Sequence, residues 1–556
     1  MKEKHYFFKA LLPAALLSIV ASFMLFIVEP ITFYSGNMDD LWFDIYDTLP
    51  ILFKLFGLSV LCLMLFFLII YLCSKKIFKK EKVYYSILIV LVLVFLATYI
   101  QGNFLAGSLP GLNGDSFNWR EYMPDVIISL LLWVILFGLT GFFLIKKKIT
   151  FQKLAQYSSY LLSAIFIMLS ISLLSTLLTT PALEDKTPSR ATYDYFDLAS
   201  TDRNFFVFLV DAVDSQSFHQ LLQENQDYQQ TFQDFTYYPD TTSYYPYTRD
   251  SIPYIFTQTP NHNEDSFGDY SRKAYSNSTT FKNLQEDNYK MLFYEDEAIF
   301  DSETADTFDN MSKNIRLNES NFIEQIVRYD LFKYLPFPLK GKAHIEKLSF
   351  WMAEIADEKL GFTWRNIDNY QYLNSHEIEK TDEKVFHFIH VEGAHIPFNL
   401  DENIEPIDSK IGTYSQKQKA AFTMIQTYIN RLKTAGVYDN SSIVIMADHG
   451  YKDGVYEYDY INSRFNPILY IKGVNETHSK MHTSDKPISF EDLGQAFDDL
   501  RLGKKSTDLF KDIEYPRDRT IIYYVWNEED HMVEEIQSGK AWNDTTITET
   551  GNVFDR

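Results

Sequence analysis

Cysteine is nearly missing from this sequence: its 556 residues include two. Both, Cys62 and Cys73, lie in or at the end of a single apolar run, so the large polar remainder has no disulfide and must be stable through its own core. That fits a Gram-positive bacterial surface better than a periplasmic or secretory setting. Basic residues are also scarce, with 51 Lys and Arg against 74 Asp and Glu and a formal net charge of -23. This balance excludes a nucleic-acid partner, because binding a phosphate backbone needs a basic face. Anionic lipid headgroups remain open to an acidic protein wherever a metal ion supplies the positive charge. Internal repeats and low-complexity tracts are absent as well.

Hydrophobic residues are abundant and unevenly spread. Before the boundary near Leu178 lie Phe7 to Val28, Ile51 to Cys73, Tyr84 to Ile100, Val126 to Ile145 and Tyr157 to Leu178. Each reaches the roughly 17 to 25 residues that cross a bilayer as a helix. A cleavable signal peptide is the alternative for the first run, but no small-residue cleavage pattern follows it and further runs do. Lys2 and Lys4, then Lys75, Lys76, Lys79, Lys80 and Lys82, then Lys146, Lys147, Lys148 and Lys153 mark alternate loops. Asp39, Asp40, Asp44, Asp47, Asp115, Glu121 and Asp125 mark the others. Lys and Arg collect on the cytoplasmic side, so the N-terminus is expected inside the cell and everything after Leu178 outside. The expected layout is a transmembrane domain of about five helices over 1–179, a linker over 180–202 and an extracellular domain over 203–556.

The extracellular part alternates short apolar runs with helical patterns. Runs beginning at Asn204, Tyr289, Val385, Ser441 and Asn466 are too short for helices and too evenly apolar for strands with one wet face, which predicts buried parallel strands. Between them, Phe422, Ile425, Ile429 and Leu432 fall on one helical face, and Gly436 is placed to close that helix. The fold class is therefore an α-helical transmembrane domain followed by an α/β domain, a mostly parallel sheet covered by helices on both faces. Ligands bind such sheets beyond the carboxyl ends of the strands, where Asp211, His390, Asp448 and His449 fall.

Carboxylates and an imidazole on rigid strand ends are ligand types for a divalent metal. Taken alone, Asp448-His449-Gly450 is also read as a turn with a capping Asp. Thr248 sits between the two acids in chain order, within YYPYTRDSIPYIFTQTP, and an ordinary turn hydroxyl is its bland alternative. His390 and His395 frame HVEGAH, where a core histidine is the alternative for either.

Thr248, Ser251, Pro253 and Thr257 match the T-x-x-S-x-P context of the nucleophile in lipid A phosphoethanolamine transferases. The stretch from His390 to Phe398 resembles their H-x-x-G-S-H segment and the N-H-F-P-F stretch of lipoteichoic acid synthases, with His395 on the shared histidine. On these motifs, in this order and behind this membrane unit, the chain resembles the alkaline phosphatase and sulfatase superfamily, in particular its membrane-anchored phosphoethanolamine and phosphoglycerol transferases. Sulfatases carry a Cys or Ser, matured to formylglycine and followed by x-P-x-R, where this chain has Thr248, Asp250 and Ile252. Formylglycine chemistry is disfavoured accordingly.

The resemblance implies a sulfatase-like catalytic domain over 203–556, with Thr248 as nucleophile and one zinc or manganese ion held by Asp211, Thr248, Asp448 and His449. His395 would protonate the leaving group or stabilise charge on the phosphoryl oxygens. His390 and Arg464 are implied as substrate contacts, with a structural ion pair as the alternative for Arg464. Two departures stand out: Asp211 replaces the usual Glu, and Phe465 in RFNP replaces a further histidine, which removes a ligand for a second metal. The implied partners are a membrane phospholipid donor and a cell-envelope glycan, teichoic polymer or lipid acceptor. A hydrolase of phosphodiesters or sulfate esters, and a non-catalytic surface protein that keeps the fold to bind glycan or partner proteins, are the competing readings.

Overall fold

The computed structural model describes residues 2–38, 41–77, 80–105, 122–183, 189–296, 298–343, 352–356, 359–451, 464–525 and 531–555. The chain divides into two compact units, Met1–Thr187 with Ile315–Glu354, and Pro188–Asn314 with Ile355–Arg556.

In the first unit, five helices are long and apolar enough to cross a membrane: Phe7–Gly36, Ile45–Lys76, Glu81–Phe104, Met123–Ile145 and Phe151–Thr179. They outrun the apolar stretches because polar caps set their ends. Asp44 and Asp47 form a capping box at the start of the second, and the Thr150 hydroxyl accepts from the Lys153 N–H at the start of the fifth. Ala10 and Ala14, one turn apart and buried, allow close approach, and the Tyr84 hydroxyl reaches the Ala10 carbonyl at 2.9 Å. A π-helical turn over Met24–Val28 leads directly into Glu29. Of the loop charges read as orientation signals, Asp39, Asp40, Lys79, Asp115 and Glu121 lie outside the described residues. The same unit contains a helix over Glu319–Tyr334, whose N-cap is Asn318. In sequence this helix falls inside the stretch expected to be one extracellular domain, and its mixed composition offers no run that sets it apart.

The second unit is built on a seven-stranded sheet. Its strands are β1 (Asn204–Val210), β2 (Thr236–Tyr237), β3 (Tyr289–Tyr294), β4 (Lys384–Val391), β5 (Ser441–Met446), β6 (Leu469–Lys472) and β7 (His482–Thr483). The spatial order is β7-β2-β6-β5-β1-β4-β3. β5, β1, β4 and β3 run parallel, with Phe206 opposite His387 and Ile443. Successive side chains of β1 feed two cores: Phe206, Phe208 and Val210 on one face, Phe205, Val207 and Leu209 on the other. Helix α2 (Tyr414–Ala435) covers the first face with Phe422, Ile425, Ile429 and Leu432, and ends at Gly436 with φ of 73°. The second face is covered in part by α1 (Thr248–Thr257).

Two expectations need correction. The run from Asn466 forms β6, but it pairs antiparallel with both β5 and β2. Even hydrophobicity reports burial on both faces, which an interior antiparallel strand also has, so it carries no information on direction. The stretch expected as a linker contains strands at Arg190–Ala191 and Leu198–Ser200, paired with Met311–Ser312 and Glu379–Thr381. Tyr193, Phe196 and Ala199 are buried there, so burial holds residues whose polar neighbours disguise them. A three-stranded antiparallel sheet over Arg519–Val525, His531–Gln537 and Ile547–Asp555 completes this unit.

Candidate active site

Three carboxyl ends of neighbouring strands meet at one point. Asp211 follows β1, His390 lies near the end of β4, and Asp448 and His449 follow β5. Among the described residues, Asp211, Asp448 and His449 form a group whose ligand atoms all lie within 4.8 Å of one another, and all three side chains are buried. The His449 Nε2 is 3.8 Å from Asp211 Oδ1 and 3.3 Å from Asp448 Oδ2. Those two carboxylate oxygens are buried and take part in no hydrogen bond. The His449 Nδ1 lies 2.7 Å from the Gly450 carbonyl and donates to it, which turns the Nε2 lone pair toward the acids. Two orphaned carboxylate oxygens and an oriented imidazole nitrogen are a donor set that fits a divalent cation.

The electrostatics point the same way. Burial pushes the Asp211 carboxyl up, but His395, His390 and His449 outweigh it and hold it at about 2. Asp448 moves in the opposite direction, raised by burial and by the charge on Asp211. Such a pair is short of positive charge.

Thr248 is the first residue of α1, and its Oγ1 lies 3.4 Å from Asp211 Oδ2. Three residues on, on the same side of the helix, the Ser251 hydroxyl donates to the Asp448 carbonyl at 2.8 Å. The T-x-x-S spacing thus delivers one hydroxyl to the acid cluster and uses the next to tie the helix to the β5 loop. The helix N-terminus also places positive dipole ends where anionic oxygens would sit.

Among the histidines, His390 is buried between two carboxylates, with Nδ1 2.5 Å from Glu295 Oε2 and Nε2 3.8 Å from Asp211 Oδ2. Burial disfavours its charged form, yet Glu295 and Asp211 outweigh burial and keep its pKa well above the ordinary imidazole value. His395 is partly exposed, packs edge-on to Trp364, and lies close enough to act on the Asp211 charge. Arg464 is exposed; its Nε donates to the Pro246 carbonyl at 3.0 Å and its guanidinium lies 4.9 Å over the Tyr247 ring, two contacts with the turn before Thr248.

Several supporting residues carry no motif. Glu295 follows β3 and braces His390; an acid ending an apolar run is the same signal that marks Asp211. Lys417, in the first turns of α2 and fully buried, donates to Glu392 Oε1 at 2.6 Å, the Pro397 carbonyl at 2.8 Å and Asn399 Oδ1 at 3.1 Å. These bonds clamp the loop that carries His395. Tyr414, at the start of the same helix, accepts from the Asp214 N–H and donates to the Ala212 carbonyl, which holds the loop after Asp211. Gly393 has φ of 58°, and a Cβ there would overlap the Asp211 backbone, so the turn after β4 requires glycine.

A family model described as Sulfatase matches residues 203–495, more than half of the chain. The chain belongs to the sulfatase family. Among curated proteins no match is found. Similar solved structures include a protein in the alkaline phosphatase superfamily from Vibrio parahaemolyticus, 13% identical over 66% of this chain and 85% of that one, TM-score 0.35. They also include the lipoteichoic acid synthase LtaP from Listeria monocytogenes, 13% identical over 60% and 84%, TM-score 0.33. The C-terminal periplasmic domain of EcEptC from Escherichia coli is 13% identical over 57% and 89%, TM-score 0.31. Every site residue named above lies inside the matched region of this sulfatase-family chain, and the three-stranded C-terminal sheet lies beyond its end. Sulfatase-superfamily enzymes use divalent metals, in agreement with the donor set at Asp211, Asp448 and His449.

Proposed function

We propose that this membrane protein is a metal-dependent transferase that moves a phospholipid headgroup, phosphoethanolamine or phosphoglycerol, onto a cell-envelope acceptor through Thr248. The observation that carries this reading is the Thr248 hydroxyl at a helix N-terminus, against two buried acids and an oriented histidine. Asp211, Thr248, Asp448 and His449 would hold one zinc or manganese ion, which when bound lowers the pKa of the Thr248 hydroxyl and neutralises charge on the phosphoryl oxygens.

The Thr248 oxygen, having lost its proton, attacks the headgroup phosphorus, and the bond from phosphorus to the diacylglycerol oxygen breaks. His395 gives that oxygen a proton. The headgroup phosphate is then esterified to Thr248 until an acceptor hydroxyl gives its proton to the now neutral His395 and attacks the same phosphorus, and the bond from phosphorus to the Thr248 oxygen breaks, which restores both residues. His390, which the resemblance makes a substrate contact, is buried against Glu295 and would instead act through Asp211 by holding that carboxylate in place, while Arg464 would meet a phosphoryl oxygen beside Thr248. Threonine cannot mature to formylglycine, which separates this mechanism from that of the sulfate-ester hydrolases. The matched domain is proposed to face the outside of the cell, with the N-terminus in the cytoplasm.

The test uses the purified full chain and phospholipids with a fluorescent acyl chain. Diacylglycerol should appear in the presence of zinc or manganese and vanish with a chelator or in Thr248→Ala, and the headgroup should be recovered on an added envelope acceptor. Headgroup phosphate released to water at the same rate with and without acceptor would make the protein a hydrolase. No cleavage of any phospholipid, under conditions where the full chain retains metal, would overturn the reading.

A further inference from the structure

Glu29 is an ionisable residue inside a membrane-spanning helix and is almost wholly buried. Such residues are costly in a bilayer and need a named partner. Its partners come from the Glu319–Tyr334 helix: Lys333 Nζ lies 2.5 Å from Glu29 Oε2, and the Tyr334 hydroxyl donates to Glu29 Oε1. Gln101 of the third spanning helix donates to the Leu335 carbonyl, and the Phe337 N–H donates to the Ser129 hydroxyl of the fourth. A Cβ on Gly102 would overlap the Tyr334 ring, so glycine there lets the ring lie directly on the third helix. Lys340 caps the segment's helix by donating to the Phe332 and Lys333 carbonyls.

The depth of these anchors follows from helix geometry. Helices that cross in alternation bring Gly36, Phe104, Met123 and Thr179 to one side. Measured from the ends of the apolar runs on that side, Val28, Ile100 and Val126, Glu29 and Gln101 lie one residue beyond and Ser129 lies three residues, about 4.5 Å, inside, at about 1.5 Å of rise per residue. A helix held there lies at the edge of the hydrocarbon layer, the level at which interfacial helices bind. Its free face fits that setting. Val327 and Leu331, one turn apart, are 40% and 45% exposed, and Leu339 is 41% exposed, whereas Phe322, Ile326 and Phe332 are buried.

We propose that residues 319–343 form an interfacial membrane segment, inserted within the sequence of the sulfatase-family domain, whose occupant on the Val327, Leu331 and Leu339 face is the outer-leaflet lipid. Because the chain passes between its two units at 187/188, at 314/315 and at 354/355, the catalytic unit is then attached to the membrane independently of the 184–188 connection. This holds whichever ester the active site cleaves.

The test uses the full chain with Cys62→Ala and Cys73→Ala, reconstituted in phosphatidylglycerol–phosphatidylcholine vesicles and labelled with a fluorophore at Val327→Cys, Leu331→Cys or, as an aqueous reference, Lys282→Cys. All these positions are exposed, so the labels do not disturb packing. Quenching by a lipid with a doxyl group at acyl carbon 5 should be several-fold stronger at 327 and 331 than at 282, and quenching by iodide several-fold weaker. A protease site placed in 184–188 should, when cut, leave the fragment from 188 onward on the vesicles after a high-salt wash. Labels at 327 and 331 that quench like the one at 282, or release of the fragment, would overturn the proposal.

Discussion

At the scale of single residues, the site rests on groups that no motif announces. Lys417 and Glu392 form a buried ion pair at 2.6 Å, and breaking such a pair from one side strands a charge, at a cost of about 3–5 kcal/mol. Lys417→Met should therefore lower the thermal midpoint of the catalytic unit and displace the His395 loop, whereas Lys417→Met combined with Glu392→Gln should recover most of the stability. Recovery of stability without recovery of turnover would show that the clamp serves His395 rather than the fold, and calorimetry beside a rate assay reads both.

His387 offers a separate test on pH. It is stacked between Phe206 and Tyr294, its Nε2–H donates to the Leu198 carbonyl at 2.8 Å, and burial pulls its pKa down to about 3. A depressed folded pKa means that the unfolded chain binds the proton more readily below its own value near 6.5. The contribution of His387 is fully present above about pH 6.5 and falls by up to about 1.4 kcal/mol per pH unit toward pH 3. Stability measured by denaturation over that window should slope less in His387→Gln than in the parent chain; an unchanged slope would assign the acid sensitivity to other groups.

At the scale of elements, the sequence makes some placements readable and hides others for physical reasons. The ends of β1 and β5 are legible because a continuous apolar run that stops at an acid marks a buried strand reaching a cleft, which is how Asp211 and Asp448 declare themselves. The helical role of Thr248 is hidden: Pro253 within YYPYTRDSIPYIFTQTP suggests a loop, yet Thr248–Thr257 is helical, and this is what puts Thr248 and Ser251 on one side. Glu295, an acid that ends the apolar run of β3, carries the same signal as Asp211, whereas Lys417 is unreadable in advance, since it lies in no recognisable pattern and acts on Glu392 in a different element. Gly393 tests the geometry of the β4 turn. Gly393→Ala should impair metal binding and turnover together, because its Cβ would push on the Asp211 backbone at a left-handed position. Metal content by mass spectrometry and unchanged activity in that variant would show that the turn relaxes without moving Asp211.

At the scale of the molecule, the spanning helices are the most legible feature, because length and hydrophobicity are local properties. Residues 315–354 are the least legible. Their affiliation with the spanning helices depends on Glu29, Gln101 and Ser129 meeting Lys333, Leu335 and Phe337, contacts between segments more than 200 residues apart for the last two pairings and about 300 for the first. A chain whose spanning unit carries such an element suits the bilayer-resident donor proposed above, which is why the proposed nucleophile and the lipid belong in one experiment. The most direct measurement is the mass of the peptide containing Thr248 after the purified full chain is incubated with phospholipid and zinc or manganese, without acceptor, and then quenched in acid. The account predicts headgroup-phosphate mass on Thr248, lost when acceptor is added and absent in Thr248→Ala; the same mass on Ser251 or Thr257, or full turnover by Thr248→Ala, would contradict it.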